Sequence, residues 1–321
     1  MQGKKPSPSC CTPARAAGDD PKEAADIDDL KASVGATRMV TIPGGVFEMG
    51  GADPDGISGD GEGPVRAVHV DTFGIDACAV TAGQFAEFAG STGYVTDAER
   101  HGWSFVFASA VRPEAFGSIV EGALPHTPWW LAVRGASWRH PEGRGSDWRD
   151  RPDHPVVHVS WNDAVAFARA TGKRLPTEAE WEKAARGGTI RQRYPWGNDL
   201  EPGGEHRCNI WQGSFPVENL GLDGYLTTAP VTAFEPNGFG LYNMVGNVWE
   251  WCCDGWSTDW HRPESEATRF NPQGPENTGA RVIRGGSYLC HKSYCNRYRL
   301  SARSFNTPDS STGNMGFRCA I

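Results

Sequence analysis

No apolar run in the 321 residues approaches the ~20 needed for a membrane-spanning helix. The N-terminal stretch holds no apolar core of the kind a secretory signal requires, so a cytoplasmic location is expected. No Cys-x-x-Cys pair is matched by a second, which removes a zinc ribbon. A phosphate-cradling glycine motif is missing too, and with it a nucleotide-binding reading. Basic residues are the minority, 31 against 39 acidic ones, giving a formal net charge of -8. The chain therefore has no global electrostatic footprint for nucleic acid. No repeat of solenoid type is visible.

What is abundant is punctuation and aromatic mass: 40 Gly, 23 Pro and 13 Trp, at a mean hydropathy of -0.50. Glycine and proline at that level without collagen period, beside so many aromatics, describe a globular protein dominated by turns and loops. Residues 1–36 are poor in large apolar side chains and cannot repay the entropy of ordering, so they are expected to be a disordered tail. A single domain is expected over 37–321.

Three short helices announce themselves by capping boxes, at Thr81 with Gln84, Ser160 with Asp163, and Thr177 with Glu180. Gly93, Gly172 and Gly187 stand where left-handed stops are wanted. Met39-Val40-Thr41-Ile42 and Val46-Phe47-Glu48-Met49 flank a Pro-Gly-Gly turn and read as two strands. Further strands are expected in 68–76, 156–160, 230–234, 281–289 and 316–321. The spans 94–155 and 187–230 read as long irregular stretches, a length usual for functional or metal-stabilised loops.

The nine cysteines are 10, 11, 78, 208, 252, 253, 290, 295 and 319, an odd number that argues against a full disulfide framework. Cys290 and Cys295 lie in the densest constellation of reactive side chains. On a straight strand they would be about 16 Å apart on opposite faces. They can cooperate only if 291–294 folds back, and then a disulfide, two free thiols or a thiolate pair on a soft ion are all open. Unrelated thiols remain the plain alternative. His154 and His158 would be about 13 Å apart on a strand, too far to share one metal. Asn243-Met244-Val245-Gly246-Asn247-Val248-Trp249-Glu250 offers oxygen donors around a turn, as do Asn209-Ile210 and Asp223-Gly224-Tyr225. Such sets suit calcium. Each taken alone is also an ordinary polar turn.

Several blocks together resemble the formylglycine-generating enzyme family, the sulfatase-modifying factors. They are the run from His154 to Asp163, Arg174-Leu175-Pro176-Thr177-Glu178-Ala179-Glu180-Trp181-Glu182, Gly246-Asn247-Val248-Trp249-Glu250-Trp251, and Arg284-Gly285-Gly286-Ser287. The resemblance runs from about Val40 to Cys319. It implies an α+β, C-type-lectin-like fold of low regular structure, stabilised by two calcium ions. One ion would use Asn209, Ile210, Asp223 and Tyr225, the other Asn243, Gly246, Val248 and Glu250. Ile210, Gly246 and Val248 could serve only through backbone carbonyls. The implied reaction is oxidation of the cysteine of a Cys-x-Pro-x-Arg motif in an unfolded sulfatase to Cα-formylglycine with O2. Cys290 and Cys295 would hold Cu(I), the substrate thiolate completing a three-sulfur site. Ser287 and Tyr294 would line the oxygen pocket, and Trp249 would wall it from water. Ala168 and Ala185 stand where exported members carry structural thiols, which leaves Cys319 without an evident partner.

The blocks around Glu178 and Trp249 are shared by relatives of different chemistry and so argue fold. A non-enzymatic paralogue, which needs no thiol pair, and an iron-dependent sulfoxide synthase are the rival readings. Cys11-Thr12-Pro13-Ala14-Arg15 in the tail itself matches the client pattern. Cys11 is thereby a candidate for modification in cis or trans, and the segment a candidate occupant of the cleft.

Overall fold

The computed structural model describes residues 12–15, 30–35, 37–57, 59–121, 124, 127–262, 264–276 and 278–321. All three expected capping boxes form and start the helices Ala82–Thr92, Trp161–Ala170 and Glu178–Arg186. Gly93 and Gly187 close the first and third in the left-handed conformation. The second stops one residue before Gly172, at Thr171. Two shorter helices, Asp97–His101 and Glu266–Arg269, carry the same device at Thr96 with Glu99 and Ser265 with Thr268. No helix among the described residues is long and apolar enough to cross a membrane.

The strands gather into small separate sheets. Met39–Ile42 pairs with Phe73–Asp76, and Gly45–Met49 with Arg66–Val70, both antiparallel. The expected strand over 68–76 is thus two strands in different sheets, the end of Arg66–Val70 and then Phe73–Asp76, which returns to the first strand. A four-stranded sheet runs in the order Arg303–Asn306, Arg281–Arg284, Trp249–Gly255, Met315–Gly316. Its central strand, Trp249–Gly255, is almost entirely buried and pairs antiparallel on one side and parallel on the other.

Four strand expectations fail: over 316–321 only Gly316 stays in a sheet, with Ala320 in isolated bridges, and the other three break at positive φ. The strand over 281–289 stops at Arg284, because Gly285 and Gly286 turn into positive φ. The 156–160 segment is no strand: His158 sits at φ 58, and its neighbours bond singly, Val156 to Val80 and His158 to Thr312. The 230–234 segment is broken by Phe234 at φ 65. Conversely, 94–155 is less irregular than its composition suggests. It holds the sheet of Trp103–Phe107, Trp130–Arg134 and Ile119–Glu121.

The frame that carries the centre is held by buried charge. Arg284 is wholly buried and donates to Glu178 at 3.2 Å and Glu182 at 2.6 Å. Arg303 makes a paired contact with Glu178, and Arg186 one with Glu182. On the other side of the strand Trp249–Gly255, Glu250 accepts from Arg318 and from the Trp181 indole at 2.8 Å. Burial alone would raise the Glu178 carboxyl, but the Arg303 and Arg284 guanidiniums pull it down from 4.5 to about 2. Glu178, Trp181, Glu182 and Glu250 belong to the shared blocks, and their burial against arginines from elsewhere in the chain explains why those blocks report fold.

Part of the segment expected as an unordered tail is packed. Leu30, Ala32 and Val34 lie against the main core, and the Ala32 amide donates to the Ala170 carbonyl at 2.9 Å. Residues 12–15 are seated separately, far along the chain from their contacts.

Candidate functional site

The strand Arg281–Arg284 delivers the chain into Gly285-Gly286-Ser287, and the loop that follows returns on itself. The Cys290 amide donates to the Ser287 carbonyl at 2.9 Å, and the Tyr294 and Cys295 amides both donate to the His291 carbonyl. A Cβ on Gly286 would stand 2.9 Å from the Arg297 carbonyl oxygen, so this close return requires glycine. The result is the fold-back that cooperation demands: the two sulfurs are 3.2 Å apart and both residues are buried. That separation exceeds the ~2.05 Å of an S–S bond. Cys290 carries a thiol, whereas Cys295 is disulfide-bonded. Cys78, Cys208, Cys252, Cys253 and Cys319 are free, and burial raises each of these thiols.

Charge clamps the loop from outside. Arg299, wholly buried, makes two 2.6 Å contacts with Glu62, and Arg297 makes contacts of 2.6 and 3.1 Å with Asp60. An Arg297 nitrogen lies 3.8 Å from the Cys295 sulfur, a placement that favours a thiolate there whenever the sulfur is reduced.

Ser287 stands beside the pair: its amide is 3.4 Å from the Cys290 sulfur, and its hydroxyl accepts from the Asn314 side chain at 2.9 Å. Asn314 was not visible as a site residue. It joins the site because its carbonyl accepts from the Trp249 amide and its side chain from Thr312. Trp249 is fully buried in the same core cluster as both cysteines, and its indole N–H has no hydrogen-bond partner among the described residues. Tyr294 stacks on Phe215 at 4.6 Å and meets Trp129 edge-on at 4.9 Å. These two aromatics, contributed by distant loops, carry no local signal.

The histidines do not converge. His158 is fully buried between the Ser104 hydroxyl at 2.8 Å and the Pro141 carbonyl at 2.7 Å, and burial lowers it to about 4. His154 is partly buried and bonds Thr228. Among the described residues no three His, Cys, Asp or Glu side chains gather to hold a metal. Among the described residues the sulfur pair is thus a two-donor set of the kind a soft ion prefers.

The two oxygen-rich segments are neighbours. The Asn247 amide donates to the Asn209 carbonyl at 2.8 Å, across Gly246, where a Cβ would come within 2.4 Å of that oxygen. The side-chain oxygens of Asn209 and Asn243 are buried with no hydrogen-bond partner among the described residues. Orphaned buried oxygens of this kind fit a hard cation. Asp223 accepts from the Ile210, Gln212 and Tyr225 nitrogens, and burial holds its carboxyl above the ordinary range, a cost a cation would offset. Glu250 is more committed. Its oxygens already take three bonds from Arg318 and Trp181, leaving room for about one more.

Set beside known proteins, residues 24–321 match the family model described as the sulfatase-modifying factor enzyme 1-like domain. A formylglycine-generating enzyme from Thermomonospora curvata is 64% identical over 89% of this chain and 93% of its own length. A mouse relative named inactive Cα-formylglycine-generating enzyme 2 is 46% identical over 88% of this chain and 85% of its own. Among solved structures, PvdO from Pseudomonas aeruginosa superposes with a TM-score of 0.63 at 26% identity, over 90% of this chain and 98% of that one.

Proposed function

Because the chain belongs to the sulfatase-modifying factor family, with its C-type-lectin-like fold, we propose that it converts a cysteine in unfolded sulfatases to Cα-formylglycine. The client motif on this reading is Cys-x-Pro-x-Arg, the oxidant is O2, and the work is sulfatase maturation. The observation that carries the reading is the contact of the Cys290 and Cys295 sulfurs at 3.2 Å in a buried loop. Reduced, these two sulfurs would hold Cu(I), which would supply the electron transfer to O2.

The remaining residues act as polar and apolar walls. Arg297 favours the thiolate of Cys295. Ser287, its hydroxyl held by Asn314 and its amide beside the Cys290 sulfur, and Tyr294, held by Phe215 and Trp129, would line the oxygen pocket, with Tyr294 giving or holding a proton. Trp249 keeps water from the buried side. Calcium would be held by Asn209, Ile210, Asp223 and Tyr225, and a second ion by Asn243, Gly246, Val248 and Glu250. The orphaned oxygens of Asn209 and Asn243 support this. The free thiols of Cys78, Cys208, Cys252, Cys253 and Cys319 support a reducing cytoplasm as its compartment, with the disulfide at Cys295 the exception.

A second reading, a non-catalytic paralogue, is favoured by the mouse and bovine relatives whose names call them inactive. The test is a synthetic peptide containing Cys-x-Pro-x-Arg, incubated aerobically with a thiol and Cu(I)-loaded protein. Mass spectrometry should read the thiol turning into an aldehyde, and Cys290→Ala should lower the rate by more than about a hundredfold, beyond the usual effect of a residue that merely supports a ligand. Equal rates for the two proteins would refute the assignment.

A further inference from the structure

Thr12, Pro13 and Arg15 are buried, though nothing in their own sequence requires it. Arg15 is 5% exposed, an unusual state for a guanidinium unless a site receives it. Its amide donates to the Ser310 hydroxyl at 2.8 Å, and its side chain reaches the Asp309 carbonyl at 3.3 Å, the Trp103 carbonyl at 2.7 Å and the Ser311 hydroxyl at 3.4 Å. The guanidinium also lies over the Trp103 ring, 4.0 Å from its centre. Upstream, the Asn306 side-chain amide donates to the carbonyls of Thr12 and Pro13 at 3.4 and 3.1 Å.

These contacts have the form of peptide recognition. The backbone is read at two carbonyls and one amide, and one side chain, the arginine, is read in detail. The receiving wall leads to the thiols within a few residues. Beyond Ser311 the chain reaches Thr312 and then Asn314, which bonds Ser287, whose amide meets the Cys290 sulfur. Thr12 and Arg15 occupy the second and fifth positions of Cys11-Thr12-Pro13-Ala14-Arg15. Cys11 itself lies outside the described residues.

We propose that the chain is its own client, docked in this groove through Thr12, Pro13 and Arg15, with Cys11 the residue modified, in cis. The inference rests on the activity proposed above and names one substrate for it. In balance, the Cβ–Sγ bond and one Cβ–H bond of Cys11 break and a Cβ=O bond forms. Sulfur leaves as hydrogen sulfide. O2 takes four electrons, two from the Cys11 carbon and two from a pair of external thiols that become a disulfide; one oxygen atom ends in the aldehyde and the other in water. Until it is converted or displaced, the segment competes with any other polypeptide for the groove.

The test uses the full chain, reduced, loaded with Cu(I) and exposed to air with a thiol, followed by peptide mapping of the N-terminal segment. Cys11 is expected to become an aldehyde that a hydrazide probe captures, at a rate unchanged over about a hundredfold dilution of the protein, as intramolecular docking demands. Arg15→Ala, which removes charged hydrogen bonds, should slow this conversion by about tenfold to a hundredfold. It should also lower the apparent KM for an added Cys-x-Pro-x-Arg peptide. Cys11 persisting as a thiol while the added peptide is converted would overturn this inference and leave the activity standing. Failure of both Cys11 and the peptide to react, in the parent chain and in Arg15→Ala alike, would overturn the activity itself.

Discussion

The helix Glu178–Arg186 and the loop 287–295 are joined through Arg284 and the two glycines after it, yet they are held by different forces. The helix is locked by full charges out of water: Glu178 between Arg284 and Arg303, Glu182 between Arg284 and Arg186. Within its own span the loop is held by backbone turns, a sulfur contact and the neutral bond from Asn314 to Ser287, and its charge pairs, Arg297 with Asp60 and Arg299 with Glu62, lie past its end. Breaking one partner of a buried ion pair strands the other charge, whereas losing a neutral hydrogen bond costs far less. Stability is therefore concentrated in the frame. The loop, whose sulfurs must meet a client and a metal, is left with contacts that can be exchanged.

Four changes test that division. Glu178→Ala leaves Arg284 and Arg303 without their shared carboxylate and should cost about 3–5 kcal/mol in denaturant unfolding. Acid should act on the same group. Its folded-state value is depressed from 4.5 to about 2, so its contribution is present above 4.5 and is lost as pH falls through that window. A titration of stability in Glu178→Gln should lack that part of the acid loss. In the loop the balance should reverse: Ser287→Ala removes the hydroxyl that Asn314 holds, costing only about 1 kcal/mol of stability. Peptide conversion should nevertheless fall by about tenfold to a hundredfold. Equal losses of stability in Glu178→Ala and Ser287→Ala would erase the contrast. The smallest effect is expected at the helix start, where Thr177→Ala removes the cap on the Glu180 amide and should cost about 1 kcal/mol with conversion unchanged.

Where the sequence read true, the signal was short-ranged. The pairs Thr81 with Gln84, Ser160 with Asp163, and Thr177 with Glu180 sit three residues apart, so their geometry follows once a helix begins. Cys290 and Cys295 were legible as a pair only on condition of a turn, and the turn exists because His291 accepts from both Tyr294 and Cys295. Asn314 and Phe215 were invisible. Each reaches the site by strand pairing or aromatic stacking with residues remote in the chain. The strand expected over 156–160 failed because period and composition say nothing of the left-handed backbone at His158.

By itself the sequence determined the helix starts, the family resemblance and the presence of a client-like motif in the first fifteen residues. Tertiary structure alone decided that Thr12, Pro13 and Arg15 are buried, since their groove is made by Trp103 and by Asn306 to Ser311, some two hundred residues apart. It also decided that Arg284 could be buried, by bringing Glu178 and Glu182 to it. Local preferences act through neighbouring backbone groups. Burying a charge depends on partners that only the folded chain brings within reach.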